Sequence, residues 1–326
     1  MKKIIPGLSV VLGISGVATV LGSTFPVIGS AVFGILLGII CTSTLALPLA
    51  LEAGITFSSK KVLQTSIILL GGTLSLGQIV KIGGTSFSVL IFTITAAYLT
   101  AYIVGSKLKV HKDLIRLIGS GTAICGGSAI AAVSSVIQAD ENDVAYAIST
   151  IFLFNVLAVF LFPFIGHLFH LSDLGFGLFA GTAINDTSSV VAAGYTYSNV
   201  AGDYATIVKL TRTTLIIPIC LGYMWSMLRA HHKSSVNIVK IFPWFLLGFL
   251  GMSLANTLGF IPAGPIAIAI KELAKFMIVM ALTAIGLKTN MKKMIATGPK
   301  PMLLGLSVWL AVTVTSIGVQ IFTGQM

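Results

Sequence analysis

Residues 121–128 read Gly121-Thr-Ala-Ile-Cys-Gly-Gly-Ser128, and residues 181–188 reopen the same way as Gly181-Thr-Ala-Ile-Asn-Asp-Thr-Ser188; Lys209-Leu-Thr-Arg-Thr213 follows in the next apolar stretch. Both Gly-Thr-Ala-Ile units lie inside long hydrophobic runs, where a regular helix favours Leu and Ile over glycines and hydroxyls. They predict two helix breaks. Broken backbone at membrane depth survives only where it is buried in protein or lines a cavity, so the two units mark an expected substrate path.

The surroundings are those of a bilayer. The 326 residues are 56% hydrophobic and 9% charged, with a mean hydropathy of +1.03, whereas soluble domains carry about 25% charged residues. This predicts an all-α polytopic membrane protein and excludes a water-soluble domain. The formal charge of +11 lies mostly in short loops, where positive-inside topology accounts for it without a nucleic-acid partner. Cys41, Cys125 and Cys220 sit apart in apolar segments and form no disulfide or metal pattern.

At ~20 residues per span, eleven segments can be placed: 7–23, 25–48, 62–80, 85–106, 114–137, 144–168, 174–197, 204–228, 238–259, 265–286 and 301–321. They form a single membrane domain over 1–326. A broken-helix core is expected around 114–228, with scaffold helices over 7–106 and 238–321. Lys2, Lys3, Lys60, Lys61, Lys107, Lys109, Lys112, Arg229, Lys233, Lys288, Lys292 and Lys293 then fall inside, and Asp140, Glu141, Asp143 and Asp203 outside. The N-terminus is expected inside and the C-terminus outside the membrane. Lys81, Lys271 and Lys275 fit less well.

Segments three and ten also echo each other: Gly72-Thr-Leu-Ser-Leu-Gly-Gln78 precedes Lys81 as Gly286-Leu-Lys-Thr-Asn290 precedes Lys292. Running in opposite directions, they fit an inverted-topology repeat. The two Gly-Thr-Ala-Ile units are harder to place, because eleven through-spans would make segments five and seven parallel. Either one unit is partly re-entrant, or the likeness is local convergence on one kind of break.

Asp186 lies mid-segment, flanked by Asn185, Thr187, Ser188 and Ser189. A carboxylate at that depth costs at least ~2.5 kcal/mol and is functional by default. It can hold Na⁺ with neighbouring hydroxyls, carry a proton, or neutralise Lys209 or Arg212. Lys209, Arg212 and Thr213 share a helix face at i, i+3 and i+4, and offer an anion two cationic donors and a hydroxyl. Gly126 and Gly127 allow helix-end amides to face a gap, an arrangement that attracts anions. Thr122, Cys125, Ser128 and Thr182 add small polar contacts, and Asn155 is a further intramembrane polar group that ordinarily bonds between helices. His167, His170, His231 and His232 suggest no metal geometry. No base is placed beside Ser128 for hydrolase chemistry, and no phosphate-binding Gly-rich loop ending in Lys-Ser/Thr is present.

With Gly121-Thr-Ala-Ile-Cys-Gly-Gly-Ser-Ala-Ile-Ala-Ala132, Phe154-Asn155, Gly181 to Gly194 and Val208-Lys-Leu-Thr-Arg212 in hand, the chain resembles the YeiH-type family of bacterial membrane proteins over nearly its whole length. That family carries a sulfate-exporter label, and many members have His at the position of Asn185 and Gln at that of Ser189. Its likeness to the cation:proton antiporter and anion transporter superfamily implies a panel domain, a core with two broken helices, and alternating access.

The expectation is therefore a secondary active transporter and no enzyme. It would move a small anion such as sulfate, another oxoanion or a sulfonate, coupled to Na⁺ or H⁺. Substrate binding is expected from Lys209, Arg212, Thr213, Thr122, Cys125, Gly126, Gly127, Ser128, Thr182, Asn185, Ser188 and Ser189. Ion coupling falls to Asp186, Asn185 and Asn155. No resident cofactor is expected; the small residues on outer faces fit either a monomer or a homodimer. The alternatives are a cation:proton antiporter using Asp186, or a channel or non-transporting scaffold.

Overall fold

The computed structural model describes residues 3–25, 29–45, 47–229, 243–262, 264–289 and 298–326. Sequence readings that rest on Lys2, His231, His232, Lys233, Asn290, Lys292 and Lys293 lie outside them. In chain order the helices are α1 (Ile5–Thr24), α2 (Ser30–Thr44), α3 (Glu52–Phe57), α4 (Leu63–Gly71), α5 (Leu76–Lys107), α6 (Lys112–Ala123), α7 (Gly127–Ile137) and α8 (Glu141–Leu168). There follow α9 (Asp173–Ala183), α10 (Thr187–Tyr197), α11 (Asn199–Thr214), α12 (Ile216–Arg229), α13 (Phe245–Thr257), α14 (Pro265–Lys288) and α15 (Pro299–Thr323). Among the described residues five helical runs are long and apolar enough to cross a membrane: α1, α5, α8, the α11–α12 run Asn199–Met227, and α15. The chain is an all-α polytopic membrane protein.

The chain packs as two compact units. The first comprises Met1–Ile82, Val191–Asp203 and Pro243–Met291. Its core gathers Val11, Ile55, Val62, Met280, Ala284 and Leu287. Helices α2 and α14 touch backbone to backbone through glycines. A Cβ on Gly38 would lie 2.5 Å from the Thr283 carbonyl, and one on Gly286 would lie 2.4 Å from that of Ile35. Small residues permit this approach where lipid supplies no hydrophobic drive between helices. Gly286→Ala should therefore destabilise the protein by about 1–3 kcal/mol through overpacking, read as a lower melting temperature in detergent. Lys271, awkward for topology in sequence, pairs with Asp203 at 2.7 Å, and Lys275 pairs with Glu272 at 2.8 Å.

Two boundaries in this unit differ from the sequence reading. Segment three was expected over 62–80, after a loop holding Lys60 and Lys61. Instead α3 and α4 join through a π-turn, Ser58–Val62, that carries both lysines in continuous helix, and the chain turns after Gly71. Gln78 and Lys81 belong to α5. The reason is local: the Ser75 amide donates to Gln78 Oε1 at 3.0 Å, and the Gln78 amide donates to Ser75 Oγ at 3.2 Å. This reciprocal box starts a new helix.

The second unit comprises Gly83–Val190, Tyr204–Phe242 and Lys292–Met326. Rings of Phe154 and Phe162 on α8 stack on Trp309 of α15 at 5.4 and 5.5 Å, and Phe162 stacks on Phe179 of α9 at 4.5 Å. Residues 83–107 and α15, which the sequence reading assigned to the scaffold, thus share a unit with both predicted breaks.

Segment five is not a through-span. Helix α7 folds back on α6, so that a Cβ on Gly121 would lie 2.9 Å from the Ile130 side chain. Two coaxial half-helices would hold these positions about 13 Å apart at 1.5 Å per residue. At the open end of this hairpin His111, before α6, bonds the Asp143 carboxylate in the first turn of α8. The loops around Lys107–Lys112 and Asp140–Asp143, expected on opposite sides, therefore lie at one end of the unit, and His167 and His170 at the other end of α8. The expectation failed because acidic residues were counted as outward signals, and the positive-inside rule gives Asp and Glu little weight.

The His111–Asp143 bond raises the imidazole above its ordinary value of 6.5, mainly through the hydrogen bond and then through the carboxylate's charge. Its stabilisation is complete below the unfolded value and fades as pH climbs through the higher folded one. The imidazole is 64% exposed, which limits the effect to about 1 kcal/mol or less. Wild type should exceed Asp143→Asn in melting temperature at about pH 5.5, with the gap narrowing by about pH 8.5.

Candidate functional site

The two Gly-Thr-Ala-Ile units end helices. Helix α6 stops at Ala123 and α7 starts at Gly127; α9 stops at Ala183 and α10 starts at Thr187. Since α6 begins beside the N-terminal end of α8 and α9 follows its C-terminal end, the two arms enter from opposite ends of a helix ~42 Å long. Their C-terminal ends meet at α11. Gly181 permits one of these contacts, because a Cβ there would lie 2.7 Å from Val208.

Lys209 and Arg212 stand at that meeting point, both fully buried. Lys209 Nζ donates to the carbonyls of Ile124 at 2.7 Å and Ile184 at 3.1 Å. Arg212 donates from Nε to Ala123 at 2.7 Å, from one terminal nitrogen to Thr182 at 2.6 Å and Ile184 at 3.3 Å, and from the other to the Thr122 carbonyl. The matched residues are equivalent: Ile124 and Ile184, like Thr122 and Thr182, stand sixty positions apart in the repeated unit. Each helix C-terminus carries roughly half a negative charge and up to four unpaired carbonyls. The two cations satisfy both ends.

This redirects the first expectation. Four of the five N–H donors of Arg212 and two of the three of Lys209 are on backbone carbonyls, so their main contacts are with the protein. The Thr213 hydroxyl bonds the Lys209 carbonyl at 2.9 Å. That of Thr182 bonds the Leu178 carbonyl at 2.7 Å and meets Ser316 Oγ of α15 at 2.7 Å. Sequence reasoning missed Ser316, an isolated hydroxyl in an apolar helix with no motif around it.

Asp186 makes no ion pair with either cation among the described residues. Its Oδ2 accepts from the amides of Ser188 at 3.0 Å and Ser189 at 3.3 Å, and from the Ser188 hydroxyl. It caps the N-terminus of α10. Asn155 of α8, 2% exposed, holds the break from behind: its Oδ1 accepts from the amides of Asn185 at 3.1 Å and Asp186 at 3.3 Å. Asn185 itself is fully buried, with neither side-chain atom bonded, and the Thr122 hydroxyl is likewise unpartnered.

At α7 the equivalent of Asp186 is Gly126, whose φ of +66° favours glycine. Gly126 has no side chain to cap the helix, and Gly127 and Ser128 beyond it are exposed. A Cβ on Gly127 would meet nothing within 4 Å. Cys125 is buried between these elements. The site thus has one capped helix N-terminus and one open one, beside two buried cations.

The comparisons agree on what kind of chain carries this arrangement. Residues 6–305 match the family described as Conserved hypothetical protein 698. A UPF0324 membrane protein of Clostridium tetani is 45% identical over 317 residues, covering 93% of this chain and 92% of that one. One from Streptococcus agalactiae, SAG1125, is 45% identical over 333 residues, 99% and 98% of the two chains. One from Fusobacterium nucleatum, FN0533, is 43% identical over 324 residues, 93% and 94%. With nearly its whole length accounted for in this way, the chain belongs to the UPF0324 family of membrane proteins, the YeiH-type family that its interrupted Gly-Thr-Ala-Ile segments resemble.

Proposed function

We propose that the protein is a secondary transporter of a small anion, working by alternating access with Na⁺ or H⁺ as the coupling ion. The observation that carries this reading is the pair of helix breaks bound to Lys209 and Arg212, beside a helix N-terminus left open at Gly127 and Ser128. Such broken backbone occurs at membrane depth where a solute path needs polar groups. The anion would bind at the α7 amides, with Lys209 and Arg212 supplying positive potential from behind the backbone rather than direct contact. The two arms, entering from opposite ends of α8, serve as halves of an inverted repeat. This reading takes the place of the parallel arrangement that eleven through-spans would require.

Asp186 supports α10 as its cap, which argues against the antiporter reading in which its carboxylate carries the transported cation. A panel of chloride, nitrate, sulfate, sulfonates and carboxylates, each with and without Na⁺ and at two pH values, should reveal ligands that raise the melting temperature. Binding to the folded state alone stabilises by RT ln(1 + [L]/Kd). Those ligands should then show saturable counterflow in proteoliposomes. Flux that never saturates would replace the carrier with a channel, and the absence of both stabilisation and flux would remove the transport reading.

A further inference from the structure

We propose that the anion carried is monovalent, and that it presents a carboxylate to the α7 N-terminus in the place that Asp186 takes at α10. This rests on the anion-transport reading and narrows it. The chain contains its own precedent. In the second arm the Ser188 amide and hydroxyl bind one carboxylate oxygen of Asp186. Sixty positions earlier stands Ser128, also the second residue of its helix, with the same two donors. Its cap position is Gly126, which brings no carboxylate.

A second observation points into the same space. Asn155 is 2% exposed, and its Nδ2 lies 3.6 Å from where a Cβ of Gly126 would stand. Its Oδ1 is occupied by the Asn185 and Asp186 amides, while Nδ2 has no partner among the described residues. A carboxylate held by Ser128 would supply an acceptor on that side. The third cap donor differs between the arms, because the Ala129 amide faces the Cys125 sulfur. Asn155 takes its part.

The formal charge, with Lys209 and Arg212 both protonated, points to the valence. The groups at the breaks are Lys209, Arg212 and Asp186, a formal +1; the Cys125 thiol and the Tyr98 hydroxyl add no charge. The dipoles of two helix C-termini and two N-termini at the breaks cancel to first order. One negative charge balances the site. With the coupling ion exchanged rather than bound beside the anion, a dianion such as sulfate, the substrate implied by the family resemblance, would leave a net buried negative charge, which is costly in a low dielectric.

The test uses the full-length protein in detergent with sodium acetate and sodium sulfate at matched ionic strength, and sodium chloride as reference. Acetate should raise the melting temperature above chloride and sulfate should not. Ser128→Ala, at an exposed position, should fold normally and weaken acetate binding about tenfold, the loss of one hydrogen bond to a charged group. Sulfate stabilising as well as acetate would overturn the monovalent assignment, and an unchanged acetate affinity in Ser128→Ala would overturn the location. If neither salt stabilises but another anion of the wider panel does, this inference fails and the transport reading stands. If no anion stabilises the protein and none shows flux in proteoliposomes, both fall.

Discussion

Arg212→Leu should yield no folded protein. The change leaves the carbonyls of Thr122, Ala123, Thr182 and Ile184 with fewer donors in a water-free interior. It also leaves Lys209 alone to face two helix C-termini. At about 1–3 kcal/mol for each of the three carbonyls left without a side-chain donor, Thr122, Ala123 and Thr182, the loss is about 3–9 kcal/mol, comparable with the whole stability of many proteins, about 5–15 kcal/mol. Arg212→Lys keeps the charge but loses the planar fork that reaches both arms, and should be recovered with a lowered melting temperature. Size-exclusion chromatography in detergent reads both outcomes. A monodisperse Arg212→Leu protein with wild-type melting would mean that the guanidinium does not hold the two arms together.

Asn155→Leu carries the second largest effect. It removes the acceptor for two backbone amides at the α9–α10 break, a loss of about 2–6 kcal/mol at ~1–3 kcal/mol per orphaned group. Asn155→Asp separates the roles of the two amide atoms. It keeps an oxygen for the Asn185 and Asp186 amides, and so should be the more stable of the two variants. It also places a negative charge beside Gly126, and should therefore lose anion-induced stabilisation. If Asn155→Asp binds acetate like wild type, Asn155 does not face the anion.

Much of this was legible in the residues. The breaks at Gly121–Ile124 and Gly181–Ile184 follow from glycines and hydroxyls in apolar runs. The importance of Lys209, Arg212 and Asn155 follows from the cost of polar groups at that depth. Their partners were not legible, because a bond from a cation to a backbone carbonyl leaves no trace in side-chain identity. Nor was the direction of α7 after its break: Gly126 permits the chain to continue or to reverse, and only packing of Gly121 against Ile130 decides. Two further signals stand in the sequence. Asp186-Thr-Ser-Ser is a helix-start pattern, and its charge drew attention away from its capping. Ser75-Leu-Gly-Gln78 is a capping box inside the segment that hydropathy places over 62–80.

The account depends on two arms that enter from opposite ends of α8 and meet at Lys209 and Arg212. Side-specific labelling tests it most directly. With Cys41 replaced by serine and Cys125 and Cys220 buried, single cysteines at exposed Lys112, Glu141 and Phe169 can be probed in sealed vesicles with a membrane-impermeant maleimide. Lys112→Cys and Glu141→Cys should label from one side of the membrane and Phe169→Cys from the other. Labelling of positions 112 and 141 from opposite sides would make segment five a through-span and contradict the account.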